Sequence, residues 1–135
     1  MCGSVCRMTI VLLVGLGGFT GSVIRYLLGV GIRDLSAGSA FPWATLVVNV
    51  VGALLIGALY GAVENRSFFT PEVRGLLTIG LLGGFTTFSA FSYETLTLLR
   101  DGVVAQAFAN VVLQMGLGLL AVWIGYTVAH RAAGV

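Results

Sequence analysis

The sequence predicts an all-α membrane protein of four transmembrane helices. Three observations carry that reading. The 135 residues are 58% hydrophobic and only 9% charged, with a mean hydropathy of +1.04, outside the range of water-soluble domains. Four apolar stretches, residues 8–31, 43–63, 73–99 and 103–130, each reach the ~20 residues needed to cross the hydrocarbon core. Residues 83–94 then set glycines, hydroxyls, phenylalanines and a carboxylate inside the third stretch. Lipid tolerates such groups only where they are buried in protein or line a polar pathway, because each unsatisfied backbone group there costs several kcal/mol. The connections are short, so residues 1–135 are expected to form one domain.

The first stretch opens with Arg7 ahead of an apolar run, as a secretory signal would. No small-residue cleavage site follows, and the run continues through Gly-Phe-Thr-Gly-Ser-Val-Ile to Arg25, so it is expected to stay as a span. Cys2 and Cys6 precede it without a histidine or second pair nearby; they are too few for a zinc site and read as incidental thiols. In the second stretch Thr45 and Asn49 are four apart, followed by Gly52, which puts a hydroxyl and an amide on one stripe at membrane depth. An asparagine there needs a partner, either across a helix interface or in a polar track.

The third stretch is the richest. Phe85, Phe88 and Phe91 fall three apart on one slowly turning face, beside Thr86, Ser89 and Tyr93 on a second and Thr87, Ala90 and Glu94 on a third. A phenyl ring has a negative face and a positive edge, so rings met edge-on attract a small anion without trapping it. Gly83 and Gly84 ahead of the threonines mark either a place where the helix opens, freeing carbonyls as cation ligands, or a close helix contact. The fourth stretch repeats the polar stripe with Asn110 and Gln114, and ends near His130, the single histidine. No nucleophile and base can be assembled around that histidine, so no enzyme is expected.

Gly17 with Gly21, Gly57 with Gly61 and Gly80 with Gly84 are small-xxx-small pairs, which are helix packing faces within a subunit or between two. Orientation is weakly specified. The chain has no lysine, and four spans put Arg7, Arg66, Arg74 and Arg131 on one side against Arg25, Arg33 and Arg100 on the other. So even a balance suggests insertion in both directions, hence an antiparallel dimer; the alternative is a single orientation set by small charge differences or by a partner.

Three strings, Gly18-Phe-Thr-Gly21-Ser-Val-Ile-Arg25-Tyr26, Thr45-Leu-Val-Val-Asn49-Val-Val-Gly52 and Gly83-Gly84-Phe-Thr86-Thr87-Phe88-Ser89-Ala90-Phe91, resemble the Fluc (CrcB) family of fluoride channels. The resemblance implies a dual-topology homodimer in the bacterial inner membrane, exporting fluoride by passive electrodiffusion through two pores at the dimer interface. It implies a third helix broken near its middle and a structural sodium ion at the dimer centre, held by the backbone carbonyls of Gly83 and Thr86. Phe88 and Phe91 match the pore phenylalanines and Asn49 the asparagine beside them. The polar track would take in Thr45, Thr87, Ser89, Glu94, Asn110 and Gln114, with Arg25 at the aqueous vestibule. Departures are local: Ala90 stands where many members have threonine, Ala44 where many have glycine, and Asn110, Gln114 and Gly118 occupy a face that often carries hydroxyls. Amides donate hydrogen bonds as hydroxyls do. Two rivals share the size and composition. A proton-coupled multidrug carrier of four helices would need a carboxylate in its first span, which is lacking here, and an assembly subunit would use its polar stripes only to bind partner helices.

Overall fold

Hydroxyls, proline and glycine punctuate the helices of this chain. The computed structural model describes residues 4–63 and 69–134; Cys2, the Cys6 side chain and Arg66 fall outside that description. Helix α1 runs over Ser4–Leu35 and α2 over Trp43–Val63. The third span starts at α3, Pro71–Arg74, where Thr70 accepts a hydrogen bond from the Val73 amide at 3.4 Å and Pro71 fills the first turn, a position that needs no amide hydrogen. It continues as a π-helical stretch, Gly75–Leu82, and a last turn α4, Gly83–Phe85. After a two-residue break it resumes as α5, Phe88–Arg100, and α6 covers Val104–Ala132.

Among the described residues four spans, Arg7–Leu35, Trp43–Val63, Pro71–Arg100 and Val104–Ala132, are long and apolar enough to cross a membrane, which makes this a multi-pass membrane protein. The first span runs past the apolar stretch that predicts it because hydropathy marks the hydrocarbon core. Its helical hydrogen bonding persists into the interface, carrying Arg33 and Asp34 with it.

The sequence places the weak point of the third span at Gly83 and Gly84. Both are helical; the break falls on Thr86 (φ −83°, ψ 157°) and Thr87 (φ −149°, ψ 114°). Close approach explains the glycine: a Cβ on Gly84 would lie 2.6 Å from the Gly18 carbonyl oxygen on α1. The threonines suit the break because β-branched residues favour extended backbone and their hydroxyls serve the helix ends. Thr86 Oγ1 donates to the Leu82 carbonyl at 3.0 Å, and Thr87 caps α5 by accepting from the Ala90 amide at 3.2 Å. The break also corrects the expected faces. Phe85 and Thr86 do not continue onto the faces of Phe88 and Ser89, because the two sides belong to different helical segments.

α1 packs against the π-helical stretch and α4, while α2 packs mainly against α6. Glycines set both crossings. A Cβ on Gly17 would meet Leu76 O at 2.5 Å, and one on Gly80 would meet Val14 O at 2.8 Å. On the other crossing, Cβ atoms on Gly57 and Gly61 would strike the carbonyls of Val122 and Tyr126, and one on Gly125 that of Leu54. All three small-xxx-small pairs therefore serve contacts inside one subunit. The core is thin, formed by Leu46, Val48, Leu82, Phe85, Phe91 and Leu98, while Leu16, Phe19, Leu119 and Trp123 lie exposed on the outside.

Candidate functional site

The unwound Thr86-Thr87 pair leaves backbone groups without helical partners at membrane depth, and Asn49 on α2 supplies them. Asn49 Oδ1 accepts from the Thr87 amide at 2.8 Å, and Asn49 Nδ2 donates to the Thr87 carbonyl at 3.1 Å. A side-chain amide thus pairs with a main-chain peptide in both directions, as a neighbouring strand would. The second Asn49 hydrogen goes to Gln114 Oε1 on α6 at 3.2 Å, tying three helical segments at the break.

On the opposite side Arg25 Nε donates to the Gly84 carbonyl at 3.2 Å, joined by Ser22 Oγ at 3.4 Å. Arg25 is therefore a brace for the end of α4 as well as a cation beside a cavity. The Thr87 amide that a continuous helix would give to the Gly83 carbonyl is held by Asn49, so that oxygen has lost its helical donor. Gly83 is exposed and Thr86 half-buried. Their carbonyls, at the electronegative end of a helical segment, fit a hard monovalent cation such as sodium in donor type.

Two cavities flank the break and share Thr87 as a wall residue. The first, about 240 Å³, is lined by residues that include Arg25, Arg33, Thr45, Thr87, Ala90 and Glu94. Thr45 Oγ1 donates to Glu94 Oε1 at 2.6 Å, so its proton is committed there, and Glu94 Oε2 is buried without a partner. The second, about 330 Å³, is bounded by Asn49, Gly83, Thr86, Thr87, Phe88, Phe91 and Gln114 among others. Here the Phe88 and Phe91 rings sit 5.4 Å apart at 53°, Phe91 only 7% exposed and Phe88 71% exposed in the subunit. Gln114 Nε2 is buried with no hydrogen-bond partner, an unused donor in a largely apolar wall.

The expected site residues therefore divide. Thr45, Asn49, Thr87, Phe88, Phe91, Glu94, Gln114 and Arg25 line one cavity or the other. Asn110 lines neither: it is fully buried and donates to Thr95 Oγ1 at 2.9 Å, a bond between α6 and α5. Ser89 is exposed and lies 3.2 Å from Thr87 Oγ1, outside both cavities. Sequence reasoning passed over Ser22 and Arg33, although Ser22 is three residues from Arg25 and Arg33 is eight, spacings that put all three on one side of α1.

A family model described as "CrcB-like protein, Camphor Resistance (CrcB)" matches residues 12–126. The chain is 48% identical over 124 residues to the fluoride-specific ion channel FluC of Geobacter sulfurreducens, covering 92% of this chain and 99% of that protein. It is 49% identical to the protein of that name from Shewanella frigidimarina and 48% identical to that from Rhizobium meliloti, in each case over 87% of this chain and 94% of the relative. With the family match spanning most of the sequence and near-half identity running almost the full length of these relatives, the chain belongs to the CrcB family, a family of ion channels and not of enzymes.

Proposed function

We propose that the chain is a fluoride-selective channel of the bacterial inner membrane that lets cytoplasmic fluoride leave by passive electrodiffusion. The observation that carries the reading is a pair of cavities that share Thr87, one lined by Arg25, Arg33 and Glu94 and the other by uncharged amides and phenyl rings, in a chain so similar to proteins named fluoride-specific channels. Moving a bare ion into a low-dielectric medium costs tens of kcal/mol, so several donors must replace its water together. Gln114 Nε2 is a buried donor with no other commitment. Asn49 Nδ2 contributes by releasing one of its two present acceptors, and the Phe88 and Phe91 ring edges complete the surroundings. Neutral donors reward a small, strongly hydrated anion yet bind weakly enough to let it leave.

Thr45 joins the path only when its hydroxyl leaves Glu94. The Thr87 and Ser89 hydroxyls bond each other, which leaves one free proton between them, and Asn110 holds α5 against α6 beside the track. Two antiparallel copies of the chain would form two pores, each using rings from both subunits. The near balance of arginines on the two sides and the exposure of Phe88 in the lone subunit support that assembly. A sodium ion at the interface would be held by the Gly83 and Thr86 carbonyls, and would supply fixed positive charge tying the two breaks together.

Fluoride efflux from liposomes containing the purified protein, read with a fluoride electrode, tests the proposal. Rapid, voltage-driven fluoride flux with little chloride flux is expected. Flux that requires a proton gradient would favour a carrier acting through Glu94, and no flux from a folded dimer would favour an assembly role.

A further inference from the structure

The vestibule on the Arg25 side holds a second cation with no assigned part. Arg33 lies eight residues after Arg25 on α1 and lines the same cavity. Buried Gly29, midway between them, leaves the room: a Cβ there would meet Arg33 Nη1 at 3.4 Å and Cζ at 3.9 Å, so the guanidinium folds back along α1 over the glycine. Of the described charged side chains, Arg25, Arg33 and Glu94 line this cavity, so its walls carry one net positive formal charge. Asp34 follows Arg33 in the chain but does not line the cavity.

The two arginines differ in what they hold. Arg25 spends its Nε on the Gly84 carbonyl and is half-buried, whereas Arg33 is exposed in the last turn of α1. Glu94 lies within electrostatic reach of Arg33, and its carboxylate, left alone, would repel an approaching anion. From this arrangement we infer that Arg33 is the outer anion-collecting residue of the vestibule, offsetting Glu94 and raising the anion concentration at the cavity mouth. The inference rests on the channel reading above. A wall of net positive charge beside low-dielectric surroundings focuses its field on the entrance, and the effect fades as salt screens it. A merely structural Arg33, complementing the carbonyl end of α1, would show no such dependence of transport on salt.

The test is fluoride current through the full-length wild-type protein and its Arg33→Gln, Arg33→Glu and Arg33→Lys variants in planar bilayers. It is made at ionic strengths of about 10 mM and about 1 M, where the Debye length is roughly 30 Å and 3 Å. For an ion taken to pass about 8 Å from the guanidinium through water, Coulomb's law gives about 0.5 kcal/mol, so removing the charge should lower the low-salt current about twofold, and reversing it about fivefold. Both deficits should close at high salt, and Arg33→Lys should match wild type at both. Equal currents for wild type and Arg33→Gln at low salt would overturn the inference. So would a deficit of the same size at both ionic strengths, which marks a structural fault. Absence of fluoride current from the wild-type protein would overturn the channel reading and this inference together, whereas the two preceding outcomes leave the channel reading standing.

Discussion

Replacing Asn49 by alanine tests the central claim about the helix break. The side chain makes three hydrogen bonds there, to the Thr87 amide, the Thr87 carbonyl and Gln114 Oε1. Truncation leaves all three groups unpaired beside a cavity of about 330 Å³ that Asn49 itself lines. A buried orphan costs about 1–3 kcal/mol; water entering the cavity argues for the low end, so the break should lose about 3 kcal/mol. That is roughly a hundredfold increase in local opening at 1.4 kcal/mol per decade. Amide hydrogen exchange of the detergent-solubilised protein should show this as faster exchange at Thr87 and in the first turn of α5, alongside reduced fluoride efflux. Asn49→Asp keeps an acceptor for the Thr87 amide and should retain part of the protection. Unchanged exchange at Thr87 in Asn49→Ala would refute the clamp, even with flux abolished, and would leave Asn49 as a pore donor alone.

Other substitutions separate folding from transport. Phe91→Ala removes a ring that is 7% exposed and should cost about 3 kcal/mol or more of stability as well as flux. Phe88→Ala, at a ring 71% exposed in the subunit, should leave the subunit folded while fluoride efflux falls severely; normal efflux would remove the aromatic edges from the mechanism. Gly84→Ala would place a methyl group 2.6 Å from the Gly18 carbonyl, and overpacking of this kind costs about 1–3 kcal/mol, to be read as a lower unfolding midpoint in detergent. Arg25→Lys keeps the charge but loses the Nε bond to Gly84. With Ser22 still bonded there, a loss of about 1.5 kcal/mol is expected, measured by denaturant unfolding.

Much of the fold was legible because hydropathy and small-residue spacing report directly on lipid and on backbone approach. The four spans follow from length and composition alone. The glycine pairs announced packing faces, but whether those faces meet within one chain depends on which helices cross, and the structure settles that for Gly17 and Gly80 by bringing α1 against the third span. The break was legible to within three residues. Propensity points to Gly83 and Gly84 as the weak links; the close contact with Gly18 gives Gly84 a different purpose, and the neighbouring threonines, with side chains able to serve helix ends, take the opening instead. Asn110 and Gln114 share a stripe by spacing yet differ in surroundings, since Thr95 on α5 meets the first and a cavity meets the second. Spacing names a face, not what lies across from it.

Orientation within the site follows from a short chain of necessity. A peptide N–H only donates, so the Thr87 amide must face Asn49 Oδ1, and this fixes which end of the asparagine amide is nitrogen, an assignment that atom positions alone leave open. Asn49 Nδ2 must then donate, to the Thr87 carbonyl and to Gln114, so the contact on Gln114 has to be its oxygen. The remaining Gln114 nitrogen is left as an uncommitted donor on a residue that lines the same cavity as Phe88 and Phe91. One unwound peptide thereby sets the polarity of two side-chain amides in succession. If the channel reading holds, an amide on α6 stands in for a hydroxyl there because its direction is fixed by the break, and any substitution that frees Asn49 from Thr87 also frees Gln114 to turn its acceptor into the cavity in place of its donor.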